Sequence, residues 1–84
     1  MGSLKDTLKR PRPERVQLKN NIRRLRFEHG EMSQDALAKL LNVSRQTVNS
    51  IENGKFNPSV KLALKMARVF QCKVEDIFYL EEEQ

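Results

Sequence analysis

Residues 34–53, QDALAKLLNVSRQTVNSIEN, decide the fold of this chain. Apolar residues recur at helical spacing on both sides of Asn42, a residue type that tolerates the left-handed backbone conformation at a helix end. Ser33 and Ser44 stand just before the two periodic segments, where a serine side chain can accept a backbone N–H. The pattern predicts two short helices joined by a tight turn. The apolar residues that we expect to hold them together are Leu37, Ala38, Leu41, Val43, Val48 and Ile51.

The same spacing predicts three further helices, which begin near Ile22, after Ser59 and at Val74. No pair of apolar runs is joined by the short turn that marks a β-hairpin. We therefore expect an all-α domain of five helices over residues 20–80, with the fourth helix at its centre and a short fifth helix or turn over Val74–Phe78. On or near the apolar face of the first helix lie Leu18, Ile22, Leu25 and Phe27.

The charge of the chain is unevenly distributed. Residues 1–26 carry nine basic and two acidic side chains, a net charge of +7, whereas residues 27–84 carry seven and nine, a net charge of −2. Residues 1–19 have no sustained apolar period and contain two prolines, so we expect a flexible basic arm there and an acidic tail at 81–84. A basic end is typical of nucleic-acid binding. A solvated tail without a partner has the same composition, so charge alone does not assign the function.

Several classes of protein are excluded by the inventory of reactive residues. Cys72 is the one cysteine, so no internal disulfide can form, and Cys72 with His29 falls short of the four ligands of a structural zinc site. The three glycines are too scattered to form a phosphate loop. No apolar run approaches the roughly 18 residues that a membrane span needs. We expect no enzymatic activity, no cofactor, no metal, no small-molecule ligand, no membrane association, and a cytoplasmic location at the nucleoid.

The outward face of the helix that follows Ser44 carries polar side chains and no acid. An ordinary αα-hairpin explains the apolar positions equally well, but its solvent face would usually carry Glu and Lys pairs. In the major groove of DNA, arginine pairs with guanine, and glutamine or asparagine pairs with adenine. The side chains of this face are Arg45, Gln46, Thr47, Asn49 and Ser50.

The string VSRQTVNSIENGK at 43–55, with NPS at 57–59 and EDIF at 75–78, resembles the lambda-repressor-like, Cro/Xre-type helix-turn-helix regulators, in particular their short stand-alone members. The resemblance covers about residues 18–80 and implies a five-helix domain whose third helix enters the major groove. It implies base contacts from Arg45, Gln46, Asn49 and Ser50. It implies phosphate contacts from Gln34, Ser44, Asn53 and Lys55, with an occasional base contact from Gln34. Thr47 can touch a phosphate or a thymine methyl, and we place it in the phosphate set. It also implies a structural ion pair between Arg26 and Glu52.

The chain departs from the family pattern in three places. The turn between Gly30 and Ser33 is about one residue longer than usual, and Lys73 stands where a capping Ser, Asn or Thr is common. The arm 1–19 has no counterpart in the shortest members.

The leading functional hypothesis is a sequence-specific, double-stranded-DNA-binding regulator of transcription, expected to repress. We expect it to act as a homodimer on an inverted-repeat operator, because one small module offers one reading helix. The alternative is an antitoxin or co-activator-type module whose main partner is another protein. The expected dimer seam, whose side chains could equally close the monomer core, is Val74, Ile77, Phe78, Tyr79 and Leu80.

Overall fold

Five helices and two strands make up residues 15–82, which are the residues that the computed structural model describes. In chain order they are β1 (Val16–Asn20), α1 (Ile22–Glu28), α2 (Gln34–Leu41), α3 (Arg45–Glu52), α4 (Val60–Phe70), α5 (Val74–Ile77) and β2 (Phe78–Glu82).

Serine side chains begin three of the helices. The Oγ atoms of Ser33, Ser44 and Ser59 each accept the backbone N–H three residues further along, at 3.0, 3.1 and 3.1 Å. Between α2 and α3, Asn42 adopts φ 60°, and the N–H of Val43 donates to the carbonyl of Ala38 at 3.0 Å. The predicted caps at Ser33 and Ser44 and the left-handed Asn42 are thus confirmed.

One apolar core joins all five helices. Each fully buried Leu, Ile, Val, Phe or Met contributes about 1.5–3 kcal/mol relative to an exposed position. Helices α2 and α3 pack on each other, and α4 packs on α2 and on α5. The members of the core cluster are Ile22, Leu25, Leu37, Ala38, Leu41, Val48, Ile51, Leu62, Met66, Ala67, Phe70 and Ile77.

The expectation of an all-α domain is wrong in one respect, because β1 and β2 form a two-stranded antiparallel sheet. Its register runs from Val16 opposite Glu82 to Asn20 opposite Phe78. Residues 16–19, which the sequence assigned to the flexible arm, therefore lie in β1, and residues 81 and 82 of the predicted acidic tail lie in β2. Residues 1–14 of the predicted arm and residues 83–84 lie outside the described residues. The strands come from opposite ends of the domain, so no hairpin turn marks their pairing in the sequence.

Two residues expected on the apolar face of α1 lie elsewhere. Leu18 is half-buried in β1, and Phe27 is 66% exposed. At about 100° per residue, Phe27 lies roughly 140° around the helix from Ile22, so it faces away from the core.

The predicted dimer seam is divided between the core and the surface. Ile77 is fully buried within this chain and cannot contact a partner, so its assignment to the seam is wrong. Val74 and Phe78 are half-buried against the core, while Tyr79 and Leu80 on β2 are 41% and 67% exposed.

Candidate DNA-binding surface

Helix α3 has one buried face and one exposed polar face. Val48 and Ile51 are buried against the core, at 0% and 2% exposure. Arg45, Gln46 and Asn49 are exposed on the other side, together with the half-buried Thr47 and Ser50. The separation follows from the sequence, because Val48 and Ile51 are three residues apart and share one side of the helix.

The first turn of α3 presents two unpaired polar side chains. Within residues 15–82, the side chains of Arg45 and Gln46 make no hydrogen bond or ion pair. Ser44 and Thr47 differ from them, since their hydroxyl oxygens lie 2.9 Å apart and Ser44 also caps the helix. Arg45 and Gln46 therefore remain available to an external partner at the end of the helix where the dipole is positive.

A nearly buried ion pair holds the other end of α3. Arg26 of α1 donates from Nε to Glu52 Oε2 at 2.8 Å and from Nη2 to Glu52 Oε1 at 3.0 Å. The two side chains are 15% and 8% exposed. Such a two-point contact fixes distance and orientation together, because the guanidinium and the carboxylate are both planar. The structure thus brings together the two residues that the resemblance pairs.

The longer turn after α1 is also held by Arg26. Gly30 and Glu31 both adopt positive φ, 81° and 54°, which reverses the chain. Arg26 Nη1 then donates to the carbonyl of Met32 at 2.6 Å, and the N–H of Met32 donates back to the carbonyl of Arg26 at 2.8 Å. The extra residue is therefore accommodated in the turn without separating Arg26 from Glu52.

Three side-chain amides extend this contact along the exposed surface. Gln34 Nε2 donates to Glu52 Oε1 at 3.2 Å, and Gln34 Oε1 accepts from Asn49 Nδ2 at 3.2 Å. Asn49 Oδ1 in turn accepts from Asn53 Nδ2 at 3.1 Å. Because a carboxylate only accepts, Glu52 determines which end of the Gln34 amide faces it, and that choice orients the next two amides. Gln34, Asn49 and Asn53 are therefore ordered before any ligand binds.

The sequence interpretation missed Phe56. Its side chain is 52% exposed beside Lys55, and an open groove of about 330 Å³ is lined by Ser44, Gln46, Thr47, Ser50, Lys55 and Phe56. The only signal in the sequence is an aromatic residue in a polar loop, outside any apolar period.

His29 and Cys72, which the sequence analysis weighed as zinc ligands, contact neighbouring residues of the domain. His29 Nδ1 lies 2.8 Å from the carbonyl of Leu25, and its ring centroid is 5.2 Å from that of Phe70. Burial, and secondarily the charge of Asp76, raise the pKa of the Cys72 thiol. Within residues 15–82 there is no group of three or more His, Cys, Asp or Glu side chains placed to hold a metal ion. No helix in the same range is long and apolar enough to span a membrane.

Two helices joined at a left-handed asparagine, with a buried face and an exposed polar face on the second helix, define a helix-turn-helix DNA-binding domain. A protein-family model described as helix-turn-helix matches residues 22–77, and the chain belongs to this Cro/C1-type helix-turn-helix family. The family consists of DNA-binding regulators of transcription and not of enzymes.

Similar proteins come from archaea and bacteria. An uncharacterized HTH-type transcriptional regulator of Methanocaldococcus jannaschii is 48% identical over 67 residues, which are 80% of this chain and 100% of that protein. The uncharacterized HTH-type transcriptional regulator YgzD of Bacillus subtilis is 47% identical over 66 residues, 79% of this chain and 98% of that protein. The fold is similar to the crystal structure of the transcriptional regulator VanUg, with a TM-score of 0.72 at 18% identity over 89% of this chain and 99% of that one.

Proposed function

We propose that this protein is a sequence-specific, double-stranded-DNA-binding regulator of transcription that reads the major groove with α3. The observation that carries the proposal is the exposed first turn of α3, where Arg45 and Gln46 have no polar partner within residues 15–82. Their donor and acceptor groups match the base edges of the major groove, where arginine pairs with guanine and glutamine pairs with adenine. Asn49 and Ser50 extend the same surface by one helical turn.

The residues proposed to contact phosphate surround this face. Gln34 is the first residue of α2, where backbone N–H groups have no partner inside the helix and attract anions. Its side-chain amide is already held by Glu52 and Asn49, so we assign the phosphate contact to the backbone. The remaining members of the proposed phosphate set are Ser44, Thr47, Asn53 and Lys55.

Selection of bound sequences from a pool of random double-stranded DNA tests the proposal. We expect a defined sequence to be enriched. Arg45→Ala should then cost about 1–3 kcal/mol on the selected site and relax the preference at one base pair. Arg68→Ala is the matched control, because Arg68 is an exposed arginine in the last turn of α4. No enriched sequence, or equal losses for the two variants on selected and random DNA, would contradict base reading by α3.

We also propose that the working unit is a homodimer on an inverted repeat. Two copies related by a two-fold axis would place their α3 helices about 34 Å apart, in successive major grooves. The exposed Tyr79 and Leu80 of β2 are the seam residues that remain available for such a contact. The mass of the protein in sedimentation, with and without the selected DNA, tests the proposed dimer. We expect Tyr79→Glu to dissociate it. Phe27→Glu alters an aromatic residue of α1 that is more exposed than Tyr79, at 66% against 41%, and should not. One copy on a site without an inverted repeat would contradict the dimer.

Repression is the proposed outcome of binding. A protein that covers promoter DNA excludes polymerase by occupancy alone, whereas activation requires a further contact with the polymerase. A reporter gene placed behind the selected sequence should therefore lose expression when the protein is present. Increased expression would assign activation instead.

A further inference from the structure

The side chain of Asn20 connects the sheet to the reading helix. Asn20 is the last residue of β1, and its Nδ2 donates to the carbonyl oxygens of Ile51 at 3.1 Å and Glu52 at 3.3 Å. Its Oδ1 accepts the N–H of Ile22, the first residue of α1, at 3.1 Å. One half-buried amide therefore contacts the end of α3 and the beginning of α1 at once.

The side chain of Asn20 contacts the end of α3 at carbonyl groups that need a hydrogen-bond donor. The last carbonyl groups of a helix have no partner inside it. Here Ser50 and Ile51 accept from the N–H groups of Lys55 and Gly54, at 2.8 and 3.0 Å, in the turn that follows. The carbonyl of Glu52, the last residue of α3, accepts from Asn20. The sheet thus completes the hydrogen bonding of the reading helix at its final residue.

The neighbouring asparagine performs the same task for a different helix. The backbone N–H of Asn21 donates to the carbonyl of Ile77 at 2.8 Å, and its Nδ2 donates to the carbonyl of Asp76 at 3.1 Å. Asn21 therefore satisfies the last carbonyl groups of α5 and not those of α3. Two adjacent residues of one type hold two helix ends, of which only one belongs to the reading helix.

We propose that Asn20 is a positioning residue for DNA recognition, which holds the C-terminal end of α3 against the sheet and so sets the angle at which α3 meets the bases. This inference rests on the proposed base reading by α3. The side chain of Glu52 is held by Arg26 and Gln34, and its backbone carbonyl is held by Asn20. A helix held at its last residue through both side chain and backbone cannot rotate about that end without breaking one of these contacts.

The position requires an asparagine by its chemistry. The contact with α1 needs an acceptor, and the contacts with α3 need a donor, which a short amide supplies from one side chain. Aspartate would keep the acceptor for Ile22 but place an oxygen against the carbonyls of Ile51 and Glu52. The substitution Asn20→Asp therefore removes only the contact with α3. Asn21→Asp is the matched control. It adds the same charge one residue away and places its oxygen against the backbone carbonyl of Asp76, at the end of α5.

The experiment measures two quantities for the wild type and both variants of the full chain, at a temperature where all are folded. The first is the ratio of affinities for the selected DNA and for random DNA. We expect Asn20→Asp to lower this ratio about tenfold, the scale of one lost hydrogen bond, and Asn21→Asp to leave it unchanged. The added charge and any loss of folded protein lower both affinities together and cancel in the ratio. Asn20→Ala and Asn21→Ala provide an uncharged pair if an aspartate variant does not fold.

The second quantity is the hydrogen-exchange rate of the Gly54 and Lys55 amides without DNA. These amides close the turn after α3, and we expect faster exchange in Asn20→Asp but not in Asn21→Asp. An unchanged affinity ratio in the Asn20 variants, or an equal fall in both pairs, would overturn the positioning role. If the wild type prefers no sequence, the proposed function fails, and the exchange rates alone decide whether Asn20 holds the helix end. Unchanged rates would then overturn the inference as well.

Discussion

The ion pair between Arg26 and Glu52 leads to the most demanding prediction, which concerns Glu52→Gln. Glutamine keeps the volume of the side chain and removes its charge. Arg26 and Gln34 both donate to Glu52, so the NH₂ group of a glutamine at this position would face at least one donor. The substitution leaves a guanidinium that is only 15% exposed without its counter-ion.

The magnitude follows from this burial. Breaking a fully buried ion pair by removing one partner costs about 3–5 kcal/mol. The partial exposure of Arg26 places the expected loss at the lower end, about 3 kcal/mol of the free energy of unfolding. In a domain of this size, a loss of 1 kcal/mol lowers the Tm by roughly 4–8 °C, so we expect a fall of about 12–24 °C.

Thermal and urea unfolding followed by circular dichroism measure this loss. The control is Glu28→Gln, the same substitution in the pair Arg24–Glu28, which is 3.6 Å apart with side chains 61% and 54% exposed. That variant should change stability by less than about 1 kcal/mol, as surface ion pairs do. The reasoning is refuted if the two substitutions have equal effects. It is equally refuted if a double-mutant cycle of Arg26→Met and Glu52→Gln shows no coupling.

Three further predictions concern single residues at the edge of the site. Lys55→Ala should weaken binding to all DNA sequences alike. It should also reduce the slope of the logarithm of the binding constant against the logarithm of the salt concentration by about 0.9. An unchanged slope in binding titrations would remove Lys55 from the phosphate set. Gly54→Ala should lower the free energy of urea unfolding by about 1–2 kcal/mol, because Gly54 adopts φ 76°, where an L-residue is strained. The new Cβ has no atom within 4 Å, so steric contact adds nothing to this loss. Equal stability of the variant and the wild type would contradict the strain. Burial and the charge of Asp76 raise the pKa of the Cys72 thiol, so less of the reactive thiolate is present at pH 8. Iodoacetamide should therefore alkylate the folded protein more slowly than the urea-unfolded chain. Equal rates would contradict the raised pKa.

The parts of the fold that could be predicted are those determined by residues close together in the sequence. Ser33 and Ser44 begin helices because a serine oxygen reaches an N–H three residues away, and Val48 and Ile51 are buried because they share a helical face. Such relations repeat within one helical turn, so the sequence displays them directly. The two helices and the tight turn between them could be predicted for this reason.

The sheet could not be predicted in the same way. Its strands join the two ends of the domain, and no turn lies between them to mark the register. Residues 16–19 also lie within the most basic part of the chain, where charge suggests solvent exposure. Asn20 was missed together with the sheet, because its function depends on where β1 ends relative to α3. The surroundings of Gln34 were missed as well, since a single amide in a sequence does not reveal that it lies between Glu52 and Asn49.

The two ends of α3 are held in different ways, and the difference bears on the sequence discrimination that we propose. At the C-terminal end, Glu52 is bound through its side chain by Arg26 and through its backbone by Asn20. At the N-terminal end, Ser44 satisfies the backbone, while Arg45 and Gln46 are exposed. If α3 reads bases as we propose, the reading side chains project from the end of the helix with exposed polar groups, and the other end holds the direction of the helix. We then expect rotamer changes of Arg45 and Gln46 to adapt to a base pair without tilting the helix, so that tilting does not relieve a mismatched base.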